Sequence, residues 1–229
     1  MSQPKRPAPL PSQSIERKLV AILSADVAGY SRLMNADEVG TLHTLTAHRT
    51  VTDSLLQQHH GRIVSTAGDS ILAEFASAVD AVQCAVEIQQ ALKVKNADLP
   101  PEQKMEFRIG INVGDVMVEG EQIYGDGVNV AARLQGLADA GGLFISGTVY
   151  DQVRNKLALH YEDLGEQEVK NIAEPVRVYR VVMGVPSPLA GEGQGEGASR
   201  GGNLTDLSSI LCRGVAAVYA LQRSRRGRA

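Results

Sequence analysis

The sequence predicts an α+β domain, on three observations. Strand-like and helix-like segments alternate along the chain, and two pairs of strand-like segments read as hairpins. The hydrophobic fraction of 43% with 21% charged residues suits a chain that buries its own core. A doubly wound parallel sheet needs a helix between successive strands, and the hairpins break that rule.

Residues 1–15 are rich in Pro, Ser and Gln and read as a disordered N-terminal segment. A strand follows at Lys18–Leu23 and runs out through Ser24-Ala25-Asp26. From Asp37 to His60 apolar residues recur at helical spacing (Val39, Leu42, Leu45, Leu55, Leu56), with Gly61 as the expected C-cap. Arg62–Phe75 holds two β-type runs around Gly68-Asp69, the pattern of a hairpin. A helix is expected from Ala78 to Lys95, and Asp98-Leu-Pro-Pro101 breaks the chain after it.

Phe107–Val118 reads as a second strand pair, interrupted at Gly114-Asp115. Asp126–Asp139 is helical, and strands are expected near His160–Leu164 and Val176–Val182. The main domain therefore spans 16–183. Residues 184–229 form a low-complexity tail marked by Gly-Glu-Gly-Gln-Gly-Glu-Gly, with a possible short helix over 204–222.

Several function classes fall away. Net charge is −3 with no basic stripe, so nucleic-acid binding has no electrostatic support. No segment approaches the roughly 20 apolar residues of a membrane span, and the N-terminus lacks the apolar stretch of a signal peptide. A cytoplasmic location is expected. Cys84 and Cys212 lie too far apart for metal-ligand spacing or a disulfide framework. The histidines His43, His48, His59 and His60 lack zinc-ligand spacing and read as solvated helix positions.

Two carboxylates stand where a strand meets a tight turn: Asp26 at the end of the first strand and Asp69 in the first hairpin. Either alone has an ordinary explanation, since Asp is common in such turns. Together they could hold two cations roughly 4 Å apart, one activating a nucleophile and one clamping phosphates. Ala28, Gly29 and Tyr30 follow Asp26, and small residues there allow backbone N–H groups to approach an anion. Asn129 and Arg133 are spaced i, i+4 and project from one helix face. Beside a phosphate site, such a pair could stabilise developing charge.

Ser24-Ala-Asp-Val-Ala-Gly-Tyr-Ser31, Ala67-Gly-Asp-Ser70 with Ile71–Phe75, Ile123–Leu134 and Val169–Tyr179 occur in this order. Over Arg17 to Val182 they resemble the motifs of the class III adenylate and guanylate cyclases. The resemblance implies a ferredoxin-like, βαβ-containing cyclase homology domain: a mixed, mainly antiparallel sheet with helices packed on it. It implies two Mg²⁺ or Mn²⁺ ions on Asp26, the Val27 carbonyl and Asp69. Asn129 would orient the ribose, Arg133 would stabilise the α-phosphate, and Lys170 would contact the terminal phosphates. It further implies a homodimer with shared active sites, converting ATP to cyclic AMP and pyrophosphate.

One departure matters. The family's purine-reading Lys and Asp/Thr positions hold Ser65 and Gln122 here. Ser65 is too short to replace an ammonium directly, although a water could bridge. The Gln122 amide both donates and accepts, so it suits either adenine or guanine. GTP therefore stays open as a substrate, as does a degenerate nucleotide-binding module.

Overall fold

A computed structural model describes residues 16–168, 172 and 174–183. The N-terminal segment 1–15, the tail from 184 with its expected helix, and Lys170 lie outside the described residues.

The element order is β1 (Glu16–Val27), α1 (Tyr30–Ala36), α2 (Glu38–Gln58), β2 (Arg62–Ala67), β3 (Ser70–Phe75) and α3 (Ala78–Ala97). Then follow β4 (Phe107–Glu119), β5 (Gln122–Tyr124), α4 (Asp126–Leu137), β6 (Leu143–Ser146), α5 (Gly147–Val153), β7 (His160–Gln167) and β8 (Val176–Val182). The sheet runs β2-β3-β1-β4-β6-β8-β7, with β5 paired to β4 off that path. Among the described strands only β4 and β6 pair in parallel, so the sheet is mixed and mainly antiparallel as expected. Its first half, β4-β1-β3-β2, is the ferredoxin-like arrangement.

β1 is central because its sequence is apolar on both faces. Ala21, Leu23, Ala25 and Val27 join a core with residues of α2, α3 and α5, while Val20 and Ile22 turn to the other side with Ala131 of α4. The helices thus divide, α2, α3 and α5 on one face and α4 on the other. Local signals start the long helices: Asp37 accepts from Gly40 N at 2.9 Å, and Ser77 accepts from Asp80 N at 3.3 Å. Among the described residues no helix is long and apolar enough to cross a membrane.

Three expectations need correction. β4 is one continuous strand rather than a pair broken at Gly114-Asp115. Gly114 is there because α4 crosses it closely: a Cβ on Gly114 would lie 2.9 Å from Gly127 Cα. At the end of α2 the left-handed residue is His60 (φ 60°), not Gly61. Gly61 instead clears the Phe75 ring, which a Cβ would meet at 2.6 Å. Finally, His48 is not solvated but 2% exposed. It stacks on Phe107 and contacts Thr44 O and Asn96 Oδ1 at 2.9 and 3.2 Å. Burial holds its pKa below the usual histidine range, against the Asn96 hydrogen bond.

Candidate active site

β1 and the β2–β3 hairpin carry the two singled-out carboxylates to one end of the sheet. The hairpin turn is fixed by Arg49 of α2, whose guanidinium donates to Gly68 O (3.0 Å) and Ser70 O (2.8 Å), the carbonyls flanking Asp69. Asp69 Oδ2 in turn accepts from Val27 N at 3.0 Å. Asp69 is therefore joined to the peptide directly after Asp26, although the two are 43 positions apart.

Asp26 has a partner that sequence reasoning missed. Its Oδ1 and Oδ2 accept from Arg108 Nε (3.0 Å) and Nη2 (2.8 Å), a bidentate pair. The register explains it, since Asp26 stands directly opposite Arg108 across β1 and β4. A cation inside the apolar run Phe107–Ile111 was the available signal, but its meaning depends on that cross-strand alignment.

The loop after Asp26 is only partly as expected. Gly29, at φ 68°, leads into α1, but the Ala28 N–H is spent on Glu106 O at 2.8 Å. Ala28 therefore offers no free backbone donor, and Gly29 and Tyr30 are the remaining candidates for an anion.

Asn129 and Arg133 sit together on the exposed side of α4. Beneath them α4 lies almost on the strand. A Cβ on Gly110 would come within 2.2 Å of Gln135 N and 2.4 Å of Ala131 O. No described contact joins either side chain to the acidic end within the chain.

The structure does bring the two base-reading candidates together. β2 has a bulge between Ile63 and Ser65, which leaves Val64 outside the ladder with β3. Gln122 Nε2 donates to the Val64 carbonyl at 3.2 Å, beside Ser65. Ser65 is half-buried.

Do these residues fit a divalent cation? Among the described residues no group of three or more His, Cys, Asp or Glu gathers as a ready-made cage. Two carboxylates near a backbone carbonyl nevertheless match how Mg²⁺ is usually held, by one or two carboxylates with substrate phosphates completing the shell. The donor set, all oxygen, is right for Mg²⁺ or Mn²⁺.

The adenylate and guanylate cyclase catalytic domain family matches residues 12–183. A Rhizobium meliloti protein named "Putative adenylate cyclase 3" is 47% identical over 73% of this chain, which spans 29% of that relative's length. The adenylate/guanylate cyclase/hydrolase from Silicibacter pomeroyi superposes with a TM-score of 0.70 at 43% identity, over 74% of this chain and 99% of that one. The adenylyl cyclase CyaB from P. aeruginosa, at 23% identity over 76% of this chain and 98% of its own, shares the fold with a TM-score of 0.66. The chain belongs to the adenylate and guanylate cyclase catalytic domain family, the class III nucleotidyl cyclases.

Proposed function

We propose that the chain converts ATP into 3′,5′-cyclic AMP and pyrophosphate at sites shared between two copies. The observation that carries this reading is the Val27 N to Asp69 Oδ2 bond, which puts both carboxylates of the pair at one end of the sheet.

In the reaction the ribose 3′-hydroxyl gives up its proton to water, its oxygen bonds to the α-phosphorus, and the bond from that phosphorus to the bridging oxygen breaks, releasing pyrophosphate. Asp26, Asp69 and the Val27 carbonyl would hold two Mg²⁺ or Mn²⁺ ions, which supply charge for acidifying the hydroxyl and clamping the phosphates. Arg108 is the guanidinium beside this end. Bidentate on Asp26, it stands ready to take a phosphate oxygen when Asp26 turns to other partners. Gly29 and Tyr30 offer backbone N–H groups to the same phosphates. Asn129 orients the ribose, and Arg133 meets the charge that develops at the α-phosphorus. Both belong to the partner copy in each site, since they face outward on α4 here. Lys170 is assigned to the terminal phosphates.

The test is direct. The 229-residue chain incubated with Mn²⁺ and either ATP or GTP, with products identified by mass spectrometry, is expected to give cyclic AMP. No cyclic nucleotide from either, at concentrations where the protein is dimeric, overturns the reading.

A further inference from the structure

Gln122 leaves the choice of purine open in the sequence because its amide can donate or accept. Three features of the structure bear on that choice.

First, the amide faces a carbonyl. Val64 O can only accept, so the Gln122 group turned toward it at 3.2 Å must be Nε2. Val64 stands at the bulge of the edge strand β2, outside its register with β3. That bond spends one of the two Nε2 protons, while Oε1 has no described partner and stays available as an acceptor.

Second, the turn that carries Gln122 is itself held to β2. Arg62 Nη1 donates to Glu121 O at 2.8 Å, the carbonyl just before Gln122. β5 is only three residues long and pairs with β4 alone, so these two links fix its far side. Ile123 is buried beneath it with Val20, Ile22, Val64 and Val116.

Third, Arg62 is anchored. Its Nε donates to Glu74 Oε1 at 2.8 Å, and Lys18 Nζ reaches the same oxygen at 2.7 Å. Glu74 is 8% exposed and stands directly opposite Arg62 in the register. Burial works to raise its pKa, yet the Arg62 and Lys18 hydrogen bonds outweigh that and leave it lowered. Among the described residues the buried Glu74 Oε2 has no partner. Glu74 is the buried member of this cluster, and its carboxylate anchors the half-exposed Arg62 beside the turn.

We propose that Arg62, anchored on buried Glu74, is a positioning residue for substrate choice: it holds the β4–β5 turn so that Gln122 presents its carbonyl oxygen to the base. An acceptor there takes the 6-amino group of adenine and repels the 6-oxygen of guanine. The proposal rests on the cyclase reading above, with Gln122 at the base.

The test measures binding without turnover. Full-length wild type, Arg62→Ala, Arg62→Lys and Glu74→Gln are titrated with 3′-deoxy-ATP and 3′-deoxy-GTP in Mn²⁺, with melting temperatures recorded alongside. Wild type is expected to bind the adenine analogue more tightly. That preference falls about tenfold in Arg62→Ala, as for loss of a charge-assisted hydrogen bond. Glu74→Gln shows a similar fall, and Arg62→Lys retains part of the preference. A wild type that favours guanine overturns the proposal. So does a preference unchanged in variants that stay folded, or both affinities falling together, as a merely structural Arg62 requires. Should neither analogue bind wild type, the cyclase reading falls and takes this proposal with it. Binding with an unchanged ratio removes this proposal alone.

Discussion

The acidic end of the sheet and the outer face of α4 carry the two halves of the proposed chemistry, and they are built in opposite ways. Asp26 and Asp69 are woven into the fold by Arg108, Val27 N and the Arg49-braced turn. Asn129 and Arg133 stand exposed on a helix whose underside is packed flush against β4. The first half is preorganised by its own chain. The second is a rigidly placed surface, which becomes part of a site only when another surface meets it. That contrast is the physical argument for sites shared between copies.

Substitutions can break it. Asp69→Ala and Asp26→Ala are expected to lower kcat by about 10³-fold or more. Asp26→Ala should also lower the melting temperature, because it leaves the half-buried Arg108 without its partner. Arg133→Ala should lower kcat by about 10²–10³-fold at an unchanged melting temperature, since an exposed side chain leaves no unpaired group behind. A melting temperature that falls equally in both variants would erase the distinction between the two regions. Mixing Asp26→Ala with Arg133→Ala should recover about a quarter of wild-type activity, because half of the randomly paired dimers hold one intact site of two. Confirmed heterodimers with no recovery count against shared sites.

Smaller effects sharpen the packing side. Gly110→Ala should cost about 2 kcal/mol in urea denaturation and lower activity as well, because α4 must move off the strand. The smallest concerns pH. His59 at the end of α2 pairs with Glu87 of α3 at 3.1 Å, and that hydrogen bond raises its pKa. A raised folded-state pKa stabilises below the unfolded value, near 6.5, and the contribution disappears as pH climbs through the folded value. The melting-temperature advantage of wild type over Glu87→Gln should therefore shrink between about pH 6 and pH 8. His48, whose pKa is lowered, acts with the opposite sign and loses stability as pH falls below about 6.5.

Local signals carried much of the architecture. The Gly68-Asp69 hairpin, the helical span of α2 and the apolar face of α3 were all legible, because turn chemistry and helical period lie within a few residues. What escaped depends on alignments between distant segments. Gly114-Asp115 has the composition of a turn, and only the approach of Gly127 shows why a straight strand needs that glycine. Arg108 acquires its role from a residue 82 positions earlier. His48 looked solvated because nothing adjacent announces that Asn96 and Phe107 enclose it. Among the candidate site residues, Asp26, Asp69, Ser65 and Gln122 were nameable from motifs, whereas the bond from the Gln122 amide to Val64 O depends on how β5 meets β2.

The near-contact of α4 with Gly110 and Gly114 also bears on how such a chain can diverge. Surface positions of α4 are free to drift, but its underside is set by backbone meeting backbone, with no side chain available to absorb a change. A related sequence that acquires alanine at either glycine must shift the whole helix in the same step, carrying Asn129 and Arg133 with it. Such lineages should either keep both glycines or lose the helix's two polar residues together.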